Sequence, residues 1–198
     1  VVTEGRYTNV YNYKSVIEST GATGVKVEMK FQLTGSGADY YLASSGNQWG
    51  DEYSSFEIPT TGFNLDGTLY TWSEMGVTNT SLITLVFDGS KGTITINNKK
   101  TLSTTLTSMS WTYLFSAYGR DSDEGVSYYD YGVPEGSKHY YVKMYDSNGK
   151  EPYVGHAAKA KNPATGKEEY CWYSNNNGVM ECQFAYDSAN KGGYTANF

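Results

Sequence analysis

Charged residues and histidines are scarce in this chain. Of 198 residues, 15 are Lys or Arg, 21 are Asp or Glu and two are His, which gives a net charge of −6. No basic run is longer than the pair Lys99-Lys100. Because a surface that follows a phosphate backbone needs clustered Lys and Arg, we expect no nucleic-acid partner. No apolar stretch approaches the roughly 20 residues that cross a bilayer as a helix, so we expect no membrane insertion.

Residue patterns that support catalysis are also missing. Retaining glycoside hydrolysis needs two carboxyl groups about 5 Å apart in one cleft. The nearest acidic pairs, Asp51-Glu52 and Glu168-Glu169, are adjacent in sequence and would point to opposite faces of a strand. His139, expected at the start of a strand, and His156, expected in a surface turn, have no nucleophile nearby in sequence. We therefore assign no catalytic residues, and an enzyme acting on polysaccharides is the third-ranked interpretation.

Only two cysteines are present, Cys171 and Cys182, and turn-forming residues lie midway between them. A four-residue loop at Asn175–Gly178 would place the two cysteines directly opposite each other across a hairpin, about 5 Å apart and within disulfide range. The alternative is a pair of buried thiols in a reducing compartment. A disulfide favours an extracellular or periplasmic location, or the surface of a virion.

Tyrosine and glycine are abundant, with 20 and 22 copies, and the sequence pattern is that of strands. Val25–Leu33 alternates apolar and polar residues, which is typical of a strand with one face in a core. Turn signals such as Asp66-Gly67 and Asn97-Asn98 recur about every ten residues. This spacing predicts an all-β sandwich or jelly roll. We expect one domain over residues 1–198, with residues 1–19 as an edge strand or arm.

The segment Trp111–Lys150 holds two aromatic strands, Trp111–Tyr118 and His139–Tyr145, around a loop over residues 119–137. In the second strand, alternation predicts Tyr140, Val142 and Met144 on one face. Asp146–Gly149 then carries an Asn-Gly turn signal. Loops as long as 119–137 are usually functional or disordered.

Several motifs in chain order resemble the laminin-G-like (concanavalin A-like) jelly-roll domains of gut bacterial surface proteins and phage tail proteins. They are Val16–Gly21, Val25–Leu33 followed by Tyr40–Ala43 as its return strand, Leu85–Gly89 with Ile94–Asn97, and Tyr113–Ala117 with Lys138–Asp146. The C-terminus departs from the family pattern, since the cysteine hairpin replaces the usual closing strand. The resemblance implies a jelly-roll fold and a binding or adhesion module, often for glycans and sometimes with calcium in a loop.

Aromatic side chains in the predicted loops are the candidate ligand-binding residues. Rings can stack on the C–H faces of sugars while nearby acids and amides take the hydroxyl groups. The alternatives are that the tyrosines fold over their own sandwich edge or contact another protein. The candidates are Trp49, Trp72, Tyr128, Tyr129 and Tyr131.

A calcium site is a further hypothesis. Asp121 and Asp123 precede Gly125, and alternating acids before a glycine are similar to the opening of calcium-binding loops. Asp130 or Asp146 could add a ligand. The alternative is a solvated acidic loop.

These patterns favour a non-catalytic extracellular module that recognises a cell-surface ligand, with glycan as the expected class. The second interpretation is a structural or assembly subunit of a fibre, tail or virion, in which tyrosine-rich faces and the N-terminal arm make protein–protein contacts.

Overall fold

The structure, a computed structural model, describes residues 17–18, 22–37, 40–46, 52–111, 113–115, 117–121, 126–130, 133–134, 136–163, 165–176 and 179–184. Within these ranges the chain is all-β, as the sequence predicts, with a single short helix. In chain order the elements are β1 (Ile17–Glu18), β2 (Thr23–Gly24), β3 (Lys26–Gln32), β4 (Tyr41–Gly46), β5 (Glu52–Glu57), β6 (Gly62–Leu65), β7 (Thr68–Thr71), α1 (Trp72–Met75), β8 (Leu82–Asp88), β9 (Thr93–Ile96), β10 (Lys100–Ser103), β11 (Met109–Ser110), β12 (Tyr113–Leu114), β13 (Ala117–Asp121), β14 (Val126–Asp130), β15 (Lys138–Tyr145), β16 (Tyr153–Lys161), β17 (Glu168–Asn176) and β18 (Val179–Phe184).

Two large antiparallel sheets contain most of these strands. One has six strands in the order β1-β12-β4-β5-β6-β7, and the other has eight in the order β10-β9-β8-β3-β15-β16-β17-β18. The pairs β2–β11 and β13–β14 form two small sheets. The N-terminal edge strand was expected within residues 1–19. Ile17–Glu18 forms β1 at the edge of the six-stranded sheet, among the strands that the structure describes. Residues 1–16 and 19 lie outside the described residues.

The two large sheets pack their apolar faces together. Phe31 on β3 of the eight-stranded sheet lies 6.4 Å from the Phe56 ring on β5 and 5.8 Å from the Phe63 ring on β6, measured between centroids. The Phe56 ring in turn meets Trp111 edge to face at 6.1 Å. All four side chains are buried, so one aromatic core joins both sheets in a sandwich-like arrangement.

Strand β3 confirms the alternation read from the sequence. Its odd-numbered residues Val27, Met29 and Phe31 are buried, and its even-numbered residues are partly exposed. Its partners are β8 and β15, so β3 lies in the middle of the sheet. The predicted return strand at Tyr40–Ala43 is wrong in its pairing, because β4 belongs to the other sheet and pairs with β5 and β12.

Two predicted hairpin turns are confirmed in detail. Asp66 (φ 46°) and Gly67 (φ 85°) connect β6 and β7, and Asn97 (φ 52°) and Asn98 (φ 54°) lead from β9 into β10. Positive φ at both central residues matches the right-handed twist of the flanking strands, and Asn, Asp and Gly adopt it at low cost.

Strand β15 differs from its predicted pattern at Tyr140. A β-bulge lies between His139 and Tyr141 in the pairing with β3, and it shifts the alternation by one residue. His139, Val142 and Met144 are therefore buried, whereas Tyr140 and Tyr141 are partly exposed. The prediction that Tyr140 shares a face with Val142 is wrong for this reason.

The other predicted aromatic strand, Trp111–Tyr118, is interrupted. β12 covers only Tyr113–Leu114, and Phe115 follows with φ 62° while its N–H donates to the Leu42 carbonyl at 2.6 Å.

The expected loop over residues 119–137 is also wrong in part, because β13 and β14 pair as a hairpin that aligns Asp121 with Val126.

The predicted disulfide between Cys171 on β17 and Cys182 on β18 is confirmed, with the two Cα atoms 5.5 Å apart. The predicted register is not. Cys182 lies opposite Tyr173, and Asn176 pairs with Val179, so the cysteines are diagonal neighbours and the connection is two residues shorter than expected.

Candidate functional site

A cleft opens at one end of the eight-stranded sheet, where β3 begins. Because β8 and β15 both run antiparallel to β3, their final residues lie beside its first ones. Lys26 pairs with Asp88 on one side and with Tyr145 on the other. The turns that follow β8 and β15 therefore stand next to each other, although they are almost 60 positions apart in sequence.

Main-chain hydrogen bonds fix the floor of this cleft. The Val25 N–H donates to the Tyr145 carbonyl and the Gly89 N–H donates to the Val25 carbonyl, both at 2.8 Å. A Cβ on Gly89 would lie 2.0 Å from the Thr107 carbonyl oxygen, so only glycine permits this approach of the chain.

We call this space the turn cleft. Its volume is about 590 Å³, within the range of small-molecule sites. It is lined by Val25, Lys26, Asp88, Gly89, Ser90, Thr107, Tyr145, Asp146, Ser147 and Gly149. Seven of the ten have polar side chains, namely two carboxylates, an ammonium group, a phenol and three aliphatic hydroxyls, while apolar atoms make up most of the exposed lining.

Asp146 is held in place by its own turn. Its Oδ1 accepts hydrogen bonds from the Asn148 N–H at 2.8 Å and the Lys150 N–H at 2.9 Å. This is the side-chain-to-backbone turn that Asp forms readily. Both bonds use the same oxygen, so the carboxylate is fixed in orientation before any ligand arrives.

Asp88 is fixed in a similar way on the opposite wall. Its Oδ1 accepts from the Ser90 hydroxyl at 2.7 Å and the Lys91 N–H at 3.2 Å, and its Oδ2 lies 3.1 Å from the Lys91 Nζ. The Ser90 hydrogen bond, followed by those from Lys91, lowers the pKa of Asp88. Asp88 is therefore an anion and a hydrogen-bond acceptor at neutral pH.

Lys26 and Tyr145 form the base of the cleft. The Lys26 Nζ lies 5.2 Å from the centroid of the Tyr145 ring and 2.8 Å from the Glu28 carboxylate. The hydrogen bond with Glu28 raises the pKa of Lys26. Burial raises the pKa of Tyr145, and the nearby Glu28 carboxylate adds to the shift. The base thus presents a charged ammonium group and a neutral phenol.

This set of groups suits a ligand rich in hydroxyls. Fixed carboxylates accept hydrogen bonds, while lysine, tyrosine and serine donate them, and few polar groups held in position are enough to orient a small ligand. Asp88, whose pKa is lowered by its hydrogen bonds, is poorly suited to donate a proton as a general acid, which requires a raised pKa. The arrangement therefore favours binding over acid–base chemistry.

Trp72, the predicted ligand-binding residue whose side chain is described, lies away from the turn cleft. It begins α1, its ring meets Phe63 edge to face at 4.8 Å, and its Nε1 donates to the Thr60 carbonyl at 3.0 Å. These contacts tie Trp72 to the core beside the six-stranded sheet. Trp72 is partly exposed, and its role in ligand binding stays a prediction.

The other predicted aromatic residues are only partly placed. Tyr128 and Tyr129 lie on β14, opposite Gly119 and Tyr118 of β13, and their side chains are outside the described residues. Trp49 and Tyr131 also lie outside them. Their role in ligand binding stays a prediction.

The calcium hypothesis has a similar standing. Asp121 ends β13, and Asp123 lies outside the described residues. Among the side chains that the structure describes, no group of three or more His, Cys, Asp or Glu residues could hold a metal ion. Asp146, named as a further calcium ligand, accepts hydrogen bonds from its own turn through Oδ1.

The two histidines occupy opposite environments. His139 is buried, and its ring stacks on Phe115 with centroids 3.7 Å apart. Burial holds its pKa well below 6.5. His156 lies on β16 between Tyr141 and Tyr173, 5.5 Å from the Tyr173 ring, so its expected place in a surface turn is wrong.

Sequence reasoning missed the turn cleft as a site. Of its two turns, the sequence pattern predicts the one at Asp146–Gly149, but only as a connection between strands. Their proximity depends on both flanking strands pairing with β3, and no local motif carries that information. The sequence does contain two turns that begin with Asp and follow predicted strands. The site could have been predicted only if both strands had been expected to end beside Lys26.

In the part of the chain that the structure describes, no helix has the length and apolar character to cross a membrane. Comparisons with protein-family models, curated proteins and solved structures give no match to this chain.

Proposed function

We propose that this chain is a non-catalytic recognition module, of the laminin-G-like jelly-roll type, that binds a cell-surface glycan in the turn cleft. The single observation that carries the proposal is the cleft itself. Two oriented carboxylates, Asp88 and Asp146, face a base made by Lys26 and Tyr145. The fold resemblance adds the expectation of glycan binding, but function has to be argued from the site.

The direction of three carboxyl pKa shifts supports the non-catalytic part of the proposal. Hydrogen bonds lower the pKa of Glu74, of Asp88 and of Glu169. Glycosidases need one carboxyl group with a raised pKa to protonate the leaving oxygen. These three groups are shifted in the opposite direction.

The proposed location is extracellular, at a cell or virion surface. The Cys171–Cys182 disulfide is consistent with an oxidising environment. An extracellular module would also meet cell-surface glycans directly, so location and ligand class fit each other.

The test is polysaccharide binding by the wild-type chain and by Asp146→Asn. Asparagine keeps an oxygen that can accept from the Asn148 and Lys150 N–H groups, so the turn is retained while the charge is lost. Affinity electrophoresis through gels containing dextran, xylan, polygalacturonate or chondroitin sulfate measures binding. We expect the wild type to be retarded by at least one polysaccharide, and about tenfold weaker binding for the variant, since a hydrogen bond to a charged group contributes about 1.5 kcal/mol or more.

Asp66→Asn is the matched control. Asp66 also begins a turn and accepts from a main-chain N–H, that of Ser55 at 2.7 Å, but this turn joins β6 and β7 of the six-stranded sheet. We expect this variant to bind as the wild type does. Failure of every polysaccharide to retard the wild type, or equal retardation of the wild type and Asp146→Asn, would contradict the proposal.

The alternative, an assembly subunit, is favoured by one observation. Among the strands that the structure describes, β18 is the last of the eight-stranded sheet, and its first residues Val179 and Met180 are 63% and 40% exposed. An edge strand with exposed apolar residues can accept a strand from a neighbouring molecule. Light scattering during size-exclusion chromatography would reveal a concentration-dependent oligomer if this interpretation is correct and a monomer if it is not.

A further inference from the structure

The solvent-facing side of strands β3 and β15 carries a cluster of lysines and tyrosines that extends beyond the turn cleft. Alternation and the pairing register place Lys26, Glu28 and Lys30 of β3 on the same face as Tyr141, Lys143 and Tyr145 of β15. The bulged residue Tyr140 lies beside them. We call this surface the lysine–tyrosine face.

Each lysine of this face lies over a tyrosine ring. The Nζ-to-centroid distances are 5.2 Å for Lys26 and Tyr145, 5.1 Å for Lys30 and Tyr140, and 5.6 Å for Lys143 and Tyr141. Cation–π attraction at exposed sites is worth about 0.5–1 kcal/mol per pair. The rings therefore restrict three flexible ammonium groups to defined positions, which lowers the entropic cost of binding an anion.

The charge of the face is opposite to that of the whole chain. Within the face, three lysines accompany one carboxylate, Glu28, which pairs with Lys26 at 2.8 Å. Asp88, opposite Lys26, and Glu151, near Tyr145, add negative charge at the cleft end. Among the described residues, neither Lys30 nor Lys143 makes an ion pair. Away from the cleft these two lysines therefore form a local positive surface on a chain with net charge −6, and such a surface attracts anionic ligands.

The face is continuous with the turn cleft, because Lys26 and Tyr145 belong to both. Beyond Lys30 and Glu28, strands β8 to β10 add hydroxyl groups to the same side of the sheet: Thr84, Thr95 and Thr101, the last two 3.2 Å apart. A ligand lying across this surface meets ammonium groups and hydroxyls in turn.

Resting on the function proposed above, we infer that the ligand is an acidic polysaccharide that occupies the turn cleft and extends along the lysine–tyrosine face. The acid groups, carboxylate or sulfate, contact Lys30 and Lys143, and the sugar hydroxyls contact the cleft aspartates. A polysaccharide is favoured over a nucleic acid because the same ligand has to reach the cleft aspartates, which accept hydrogen bonds from the many hydroxyl groups of a sugar chain, whereas a nucleic-acid backbone offers few hydroxyls.

The test compares wild type with Lys30→Gln/Lys143→Gln in affinity electrophoresis against polygalacturonate, chondroitin sulfate and neutral dextran. We expect retardation by an acidic polysaccharide, weakened by added salt and weakened roughly three- to tenfold by the double substitution, since exposed ion pairs contribute modestly. Carboxylate and sulfate sources are distinguished by which of the two acidic gels retards the chain. Lys30→Arg/Lys143→Arg keeps the charge and should retain most of the binding.

Lys159→Gln is the matched control. Lys159 also lies over a tyrosine ring, that of Tyr170 at 4.7 Å, but alternation along β16 points it to the opposite face of the sheet from His156 and Tyr141. We expect this variant to bind as the wild type does. Circular dichroism of all variants verifies that they are folded.

The outcomes separate this inference from the function on which it rests. Binding to dextran that is insensitive to salt and to the lysine substitutions would overturn the acidic ligand and leave glycan recognition standing. No binding to any polysaccharide would overturn both. Binding to oligo-dT or to poly-glutamate with the same lysine dependence would overturn the inference in favour of another polyanion.

Discussion

The inner and outer faces of the eight-stranded sheet are built from alternating residues of the same strands, yet their chemistry is unrelated. On β3 and β15 the inner face holds Val27, Met29 and Phe31 with Val142 and Met144, all buried. The outer face holds lysines and tyrosines in cation–π contact. The comparison teaches that neighbouring residues should affect different properties: inner substitutions should change stability, and outer ones should change binding.

The largest expected effect is on the inner face. Phe31→Ala removes a ring that contacts Phe56 and Phe63 of the opposite sheet, so we expect the free energy of unfolding to fall by about 3–5 kcal/mol. Its neighbour Lys30→Ala, on the outer face, should change it by no more than about 1 kcal/mol. Urea unfolding followed by tryptophan fluorescence measures both. Similar losses for the two variants would contradict the division between the faces.

The next effect concerns His139, a titratable residue on the inner face. Its Nδ1 makes no hydrogen bond within the described part of the chain, and the residues against it, Phe31 and Phe115, are apolar. Burial lowers its folded-state pKa well below 6.5. The unfolded chain therefore binds a proton that the folded chain does not. The contribution of His139 to the free energy of unfolding should therefore be constant above about pH 6.5. Below that pH the free energy of unfolding should decrease by up to about 1.4 kcal/mol per pH unit.

Substituting His139 by Phe isolates this contribution. The variant keeps a ring to stack on Phe115, and its stability should lack the part of the acid slope that His139 causes, whatever its absolute value. Unfolding free energies measured between pH 5 and 8, where histidine titrates, give the comparison. An unchanged slope in His139→Phe would show that other groups cause the acid sensitivity.

The smallest expected effect lies on the outer face and concerns affinity. Tyr141→Phe keeps the ring under Lys143, whereas Tyr141→Leu removes it. We expect binding to polygalacturonate to change less than twofold for the first and to weaken about two- to fivefold for the second, as loss of one exposed cation–π contact implies. Equal affinities for the two variants would mean that the ring does not position Lys143.

Local sequence pattern predicted the parts of the fold that depend on neighbouring residues. The two faces of β3 follow from simple alternation, and the turns at Asp66-Gly67 and Asn97-Asn98 follow from residues that tolerate positive φ. The Cys171–Cys182 disulfide was predicted from spacing, but its register was not, because a shift of two residues keeps the cysteines on the same face and within bonding distance.

The remaining features depend on contacts between distant segments. The bulge at Tyr140 reverses the pattern for one residue and has no marker in the sequence, so the outward position of Tyr140 could not be predicted. The turn cleft and the lysine–tyrosine face both require β3 and β15 to be neighbours, although more than 100 residues separate them. Attention to aromatic loops therefore directed the search to Trp49 and Tyr128–Tyr131 rather than to Lys26 and Tyr145.

The most direct test of the account is to locate the ligand on the protein. Amide chemical shifts of the isotope-labelled chain would be recorded while a short galacturonate oligosaccharide is added. The account predicts the largest shifts at Lys26, Asp88, Tyr145 and Asp146, with smaller ones along Lys30 and Lys143. Shifts concentrated instead at residues 126–131, or no shifts at all, would contradict recognition through the turn cleft.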